Sequence, residues 1–103
     1  MDPQAWYKLS TVQQLGNIGA EIGRTITWKK NPAFGNYQDS FYRGLEYIDL
    51  SISDSKNAGH RRREICRVRE ALVDWYFGSK LYQSTDDDWS RYFNGFAILA
   101  NRK

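Results

Sequence analysis

Read at about 100° per residue, the apolar positions of this chain fall into four helical stripes, and no stretch alternates with the period of two that a half-buried strand requires. Val12, Leu15, Ile18, Ile22 and Ile26 share one face of a segment running from about Thr11 to Lys29. Ser10 is placed to cap its start, and Lys29, Lys30 and Pro32 to close it. A second segment, about Tyr37 to Ser53, aligns Tyr37, Phe41, Leu45, Ile48 and Ile52 in a narrow seam, with Asn36 as its N-cap. A third, about Ala58 to Phe77, aligns Ile65, Val68, Leu72, Trp75 and Tyr76, and Gly78 is placed to end it in the left-handed conformation. The fourth starts at "STDDDW" and carries Trp89, Tyr92, Phe93, Phe96, Ala97, Leu99 and Ala100 on one face.

The connections between these segments are short, which favours antiparallel neighbours. The pattern therefore predicts an all-α fold, an up-down antiparallel four-helix bundle preceded by a frayed arm over residues 1–9 that holds Trp6 and Tyr7. With 103 residues and no repeat, low-complexity tract or internal linker, the chain reads as one domain. That length exceeds the ~70–80 residues below which a small fold needs staples.

Cysteine usage and hydropathy narrow the setting. Cys66 is the single cysteine and has no partner for an internal disulfide. No apolar run approaches the ~18–20 residues that span a bilayer, and the first residues lack the basic and apolar regions of a signal peptide. An intracellular, cytoplasmic setting without membrane association is the expectation. The net charge of +3 and pI of about 9.1 lean basic without the bias of a dedicated nucleic-acid coat. Four Trp, seven Tyr and five Phe must find places in a core or at an interface.

Three motifs invite chemical readings. Gly16, Gly19 and Gly23 in "GNIGAEIG" superficially match a phosphate-cradling loop, but no strand precedes them and the spacing differs from both phosphate motifs. Each glycine costs a helix roughly 1 kcal/mol relative to alanine, so the strip they form predicts close approach of another helix, including one from a second subunit. Asp86, Asp87 and Asp88 could suggest a hard-metal site, yet consecutive positions fan outward, and acids in a first turn serve the helix dipole. Thr85 with Asp88 resembles a capping box. His60, the only histidine, lies roughly 240° around the helix from Cys66, so the two cannot act together on one helix. A small helical ribonuclease using His60 beside arginines is the remaining catalytic reading. No cofactor motif is present, and no enzyme activity is expected.

The charge pattern of the third predicted helix carries the functional question. From Lys56 to Arg69 there are six basic residues, Lys56, Arg61, Arg62, Arg63, Arg67 and Arg69, against one acid, Glu64. Arg61, Arg62 and Arg63 open the helix, at the positive pole of its macrodipole, where cations are unfavourable. The second predicted helix is acidic, and in an antiparallel hairpin its Asp49 and Asp54 would lie beside this basic start. Arg62 and Arg69, about 20° apart on the wheel, and Arg61 on the apolar side point where internal acids do not obviously reach. Guanidinium groups so placed are either buried and paired or line a groove for a partner's anion.

The helix "RRREICRVREALVDWYF", set in a short chain of four helical stretches, is similar to the small bacterial four-helix-bundle proteins related to those encoded in ribosomal-RNA intervening sequences. It also resembles the accessory variability determinants of diversity-generating retroelements. The likeness covers the architecture and this one helix. The resemblance implies a ring-shaped homo-oligomer whose basic surface engages RNA or DNA and, in the retroelement case, a reverse transcriptase. It would assign nucleic-acid contact to Arg62, Arg63 and Arg67.

The leading expectation is thus a non-enzymatic, self-associating bundle that binds nucleic acid or an acidic protein through Lys56, Arg61, Arg62, Arg63, Arg67 and Arg69. The alternative is a scaffold or oligomerisation module in which those arginines are paired internally and Gly16, Gly19 and Gly23 make a subunit interface.

Overall fold

The computed structural model describes residues 2–78 and 83–100, of Ala100 the backbone alone. The helices are α1 (Pro3–Tyr7), α2 (Thr11–Lys30), α3 (Tyr37–Ser53), α4 (His60–Phe77) and α5 (Asp86–Ala100), with single 3₁₀ turns at Pro32–Phe34 and Ser55–Asn57. The boundaries have local causes. Ser10 and Gln13 cap α2 reciprocally, each side chain accepting the other's backbone N–H. The Asn36 side chain accepts from Gln38 and Asp39 at the start of α3, and Thr85 with Asp88 makes the same reciprocal pair at the start of α5. Gly78 ends α4 at φ 74°, in the left-handed region.

Side-chain pairings fix the direction of each helix. Glu21 of α2 meets Ser40 and Arg43 of α3, whereas the earlier Gln14 meets Asp54 beyond α3's end. Asp49 of α3 meets Arg69 of α4, and the later Ile52 meets the earlier Arg62. Glu64 of α4 meets Tyr92 of α5, while Trp75 meets Asp86. Each pair is antiparallel, so α2 to α5 form the expected up-down four-helix bundle.

The expected stripes supply the core. Leu15, Ile18, Ile22, Phe41, Ile48, Ile65 and Leu72 are buried, joined by Val68, Trp89 and Phe93. Small residues set how closely the helices approach. α3 turns Ser40, Gly44 and Ser51 inward, and a Cβ on Gly44 would lie 3.2 Å from Ile22 Cδ1. On the other side of α2, a Cβ on Gly19 would lie 2.6 Å from Phe93 Cβ, so α5 seats an aromatic ring against bare backbone.

Several positions depart from the pattern. The expected arm, described from residue 2, is docked rather than frayed: Asp2 caps α1, and Trp6, 1% exposed, stacks on Tyr47 with ring centroids 4.7 Å apart. Its indole N–H donates to Ser51 Oγ at 3.0 Å. Gln14, Glu21 and Thr25 are buried although polar, whereas Leu99, expected on an inward stripe, is exposed.

The two glycine environments on α2 give opposite expectations for one substitution. Gly19→Ala drives a methyl into Phe93 and should lower stability by about 1–3 kcal/mol. Gly23→Ala meets nothing within 4 Å and should raise stability by up to about 1 kcal/mol through helix propensity. Urea unfolding of both variants checks this; equal effects would contradict the assigned packing.

Candidate functional site

The basic start of α4 lies against the C-terminal end of α3, and this geometry answers why cations sit at the positive pole of their own helix. A helix's last carbonyls lack intrahelical donors and form its negative pole. Arg62 supplies donors to that pole: its Nε donates to Ile52 O at 2.9 Å and its Nη2 to Asp54 O at 3.3 Å. What is the wrong end of α4 is the right end of α3.

Arg61, Arg69 and Lys56 are paired with carboxylates of the same chain. Arg61 Nη1 bridges to Glu64 Oε1 at 2.5 Å, and Glu64 also accepts from the Tyr92 hydroxyl of α5 at 3.3 Å. Arg69 Nε bridges to Asp49 Oδ1 at 2.7 Å. Lys56 bridges to the Asp54 carboxylate and donates to Tyr7 O at 2.8 Å, tying α1 to this end. Arg63, exposed, lies 2.7 Å from His60 Nδ1, and Arg67 is exposed. In the middle of the bundle Arg43 of α3, the third helix in chain order, bridges to the buried Glu21 at 2.5 Å, with Arg24 on the second oxygen at 2.7 Å.

The expectation of an arginine-rich surface offered to RNA, DNA or an acidic protein is overturned by these contacts. Arg43 is committed to a buried carboxylate, and Lys56, Arg61, Arg62 and Arg69 of the expected site already hold carboxylates or carbonyls of the same chain. A phosphate would have to displace those partners. Lys56, Arg61, Arg62 and Arg69 instead match the alternative of internal pairing; Arg63 and Arg67 are exposed.

Behind Arg62 lies a buried polar knot that joins four elements. Gln14 Nε2 donates to Asp54 Oδ2 at 2.8 Å and to Trp6 O at 3.2 Å. Asn57 Nδ2 donates to Gln14 Oε1 at 2.9 Å and to Ser51 O at 2.8 Å, and Asn57 Oδ1 accepts from the Thr11 hydroxyl. Burial pushes the Asp54 carboxyl up, but hydrogen bonds from Lys56 and Gln14 outweigh it and hold the group below its ordinary value. At the α4–α5 seam the opposite happens to Tyr92: burial and the adjacent Glu64 push its hydroxyl up to about 12.

The remaining sequence candidates have separate places. Gly16, Gly19 and Gly23 line a groove between α2 and α5 of the same chain, so Gly19's close contact is with Phe93 and its assignment to a subunit interface is corrected. Asp86 accepts the Trp75 indole N–H at 2.8 Å, and Asp88, held low by the Thr85 backbone and hydroxyl, caps its helix. Among the described residues no group of three or more His, Cys, Asp or Glu side chains is arranged to hold a metal ion. No helix among them is long and apolar enough to cross a membrane.

Two surface features were not anticipated. Trp89 is 7% exposed, and among the described residues its indole N–H has no acceptor, whereas those of Trp6 and Trp75 do. At the opposite side Tyr42 and Phe77, 54% and 59% exposed, stand nearly edge-on to the stacked pair Phe41–Tyr76.

The depressed Asp54 carboxyl links stability to acid. Its contribution is complete above the unfolded value near pH ~4 and is lost as pH falls through the lower folded value. Asp54→Asn should cost about 1–3 kcal/mol at neutral pH and flatten the acid limb of a stability-against-pH profile. An unchanged acid limb would contradict the knot. Comparison of the chain with protein-family models, curated proteins and solved structures found no match.

Proposed function

We propose that this chain is an assembly module: a helical bundle without catalytic activity that keeps its cations for its own fold and self-associates through apolar surface. The observation that carries the reading is the exposed aromatic surface at the end of the bundle formed by the α2–α3 connection and the last turn of α4. Tyr42 and Phe77 flank the Phe41–Tyr76 stack there, and Phe34 in the connection is 74% exposed. Burying a side chain of this size is worth about 1.5–3 kcal/mol, less than half of which the isolated chain collects for these three.

The occupant that suits this end is a second copy. Twofold pairing needs one patch that carries both signs of charge beside an apolar centre. Lys30 and Asp39 are both exposed at this end, and Lys29 stands over the Tyr76 ring at 5.7 Å from its centroid. The groove beside Tyr42, lined by Leu45, Leu50, Asp49 and Arg69, extends the apolar strip along α3 and α4 with a paired charge at its edge.

Light scattering over a wide concentration series tests the proposal. The wild type should run above the 12.1 kDa of one chain, and the Tyr42→Ser/Phe77→Ser double variant should return to that mass with unchanged circular dichroism. A wild type that stays at the single-chain mass throughout, or a double variant that assembles as before, removes the proposal.

A further inference from the structure

Tyr76 has one ring face covered by the core and the other turned to a cation. Phe41 lies parallel on the first, with centroids 3.8 Å apart and planes 7° from each other. Lys29 of α2 stands over the second, its Nζ 5.7 Å from the ring centroid. Tyr37 and Tyr42 stand beside the same ring, each with its centroid 6.4 Å away and with planes tilted by 50° and 63°. Three phenol rings from α3 and α4 thus meet beside a positive charge from α2. Tyr42 and Lys29 are exposed, and Tyr37 and Tyr76 are half-buried, so a molecule from solvent reaches them.

The face of an aromatic ring attracts cations because its π-system is negative there. Burial, with Tyr37 and Tyr42 close by, pushes the Tyr76 hydroxyl up, so the ring stays a neutral phenol and attracts through its quadrupole. Lys29 uses this face weakly. Its ammonium stands near the ~6 Å limit of such contacts, on a flexible, exposed stem that swings away at little cost. The chemistry also selects the cation that fits better. A metal ion or a primary ammonium holds its water tightly, and ring faces replace that water poorly. A trimethylammonium group is weakly hydrated and carries methyl groups, so against aromatic rings it gains both apolar burial and charge attraction.

We propose that Tyr37, Tyr42 and Tyr76 form a site for a methylated ammonium group of the choline type, which displaces the Lys29 ammonium from the Tyr76 face. Tyr42 is common to this site and to the self-association surface, but the site stands whether or not the chain pairs.

The test titrates the full chain with choline chloride and with the uncharged analogue in which carbon replaces the choline nitrogen, following the tyrosine ring resonances by nuclear magnetic resonance. Wild type and Phe77→Ser are run together, because Phe77→Ser weakens pairing while keeping all three tyrosines, so a second copy does not mask the site. The resonances should shift saturably with choline, which should bind about fivefold tighter than the analogue. Lys29→Gln should tighten choline binding by removing a competing like charge, and Tyr37→Leu and Tyr42→Leu should each weaken it about threefold. Vesicles of phosphatidylcholine and of phosphatidylglycerol separate two sources of the group. Retention on phosphatidylcholine alone places it on a lipid headgroup, and choline binding without retention places it on a free molecule. The proposal is overturned by the absence of a saturable shift with choline in wild type and Phe77→Ser alike, by equal affinity for the charged and uncharged probes, or by weaker choline binding in Lys29→Gln.

Discussion

The last turn of α3 presents backbone carbonyls at the negative pole of a helix dipole, in a part of the fold where α1, α2 and α4 all converge. Those carbonyls cannot be left without donors. Arg62 donates from the neighbouring helix to the Ile52 carbonyl and to that of Asp54, and Asp54, one residue past the helix, gathers Gln14 and Lys56 around its carboxylate. Reversing the chain at this point lets the positive end of one helix and the negative end of the previous one share a set of charges. Of the three arginines that open α4, Arg62 has a structural purpose in that arrangement: it disfavours its own helix slightly and closes the adjacent one.

The remainder of the bundle is organised from this end. Trp6 reaches the knot through Ser51 and its own carbonyl, which turns a five-residue helix too short to persist alone into part of the core. Asn57 and Thr11 lock the 3₁₀ turn onto the start of α2. Further along α2, Glu21 repeats the principle with Arg24 and Arg43. The buried Glu21 carboxylate helps specify the register of α2 against α3, since a slip of one turn would separate it from Arg43 and leave Arg24 of its own helix as the partner. Register, in this fold, is written in polar contacts as much as in the isoleucine seam.

Much of the architecture was legible because apolar spacing and capping chemistry are local. Ser10, Asn36, Thr85 and Gly78 each stand where the helix ends are, and the Leu15–Ile18–Ile22 and Phe41–Ile48 seams are buried as their periodicity requires. The buried polar positions were less so. Gln14, Glu21 and Thr25 recur at helical spacing beside the apolar seam, a second inward stripe that hydrophobicity alone assigns to solvent. Its meaning depends on Asp54, Asn57 and Arg43, which are distant in sequence. The same non-locality misdirected the reading of the basic helix. Charge along α4 predicts surplus positive potential, and only the antiparallel neighbour shows that Arg62 and Arg69 are already engaged. Trp89 had no sequence signal either, because an aromatic on a core stripe says nothing about whether its N–H finds an acceptor.

If the α3 terminus is the point on which the fold depends, two arginines of the same helix must differ sharply. Chemical denaturation of Arg62→Ala and Arg67→Ala, measured side by side, isolates the claim, because the two differ in engagement while sharing helix and charge. The account predicts a loss of about 1–3 kcal/mol for Arg62→Ala, with donors removed from helix-end carbonyls, and a change within about 0.5 kcal/mol for the exposed Arg67→Ala. Equal losses, or a larger loss at Arg67, would contradict it.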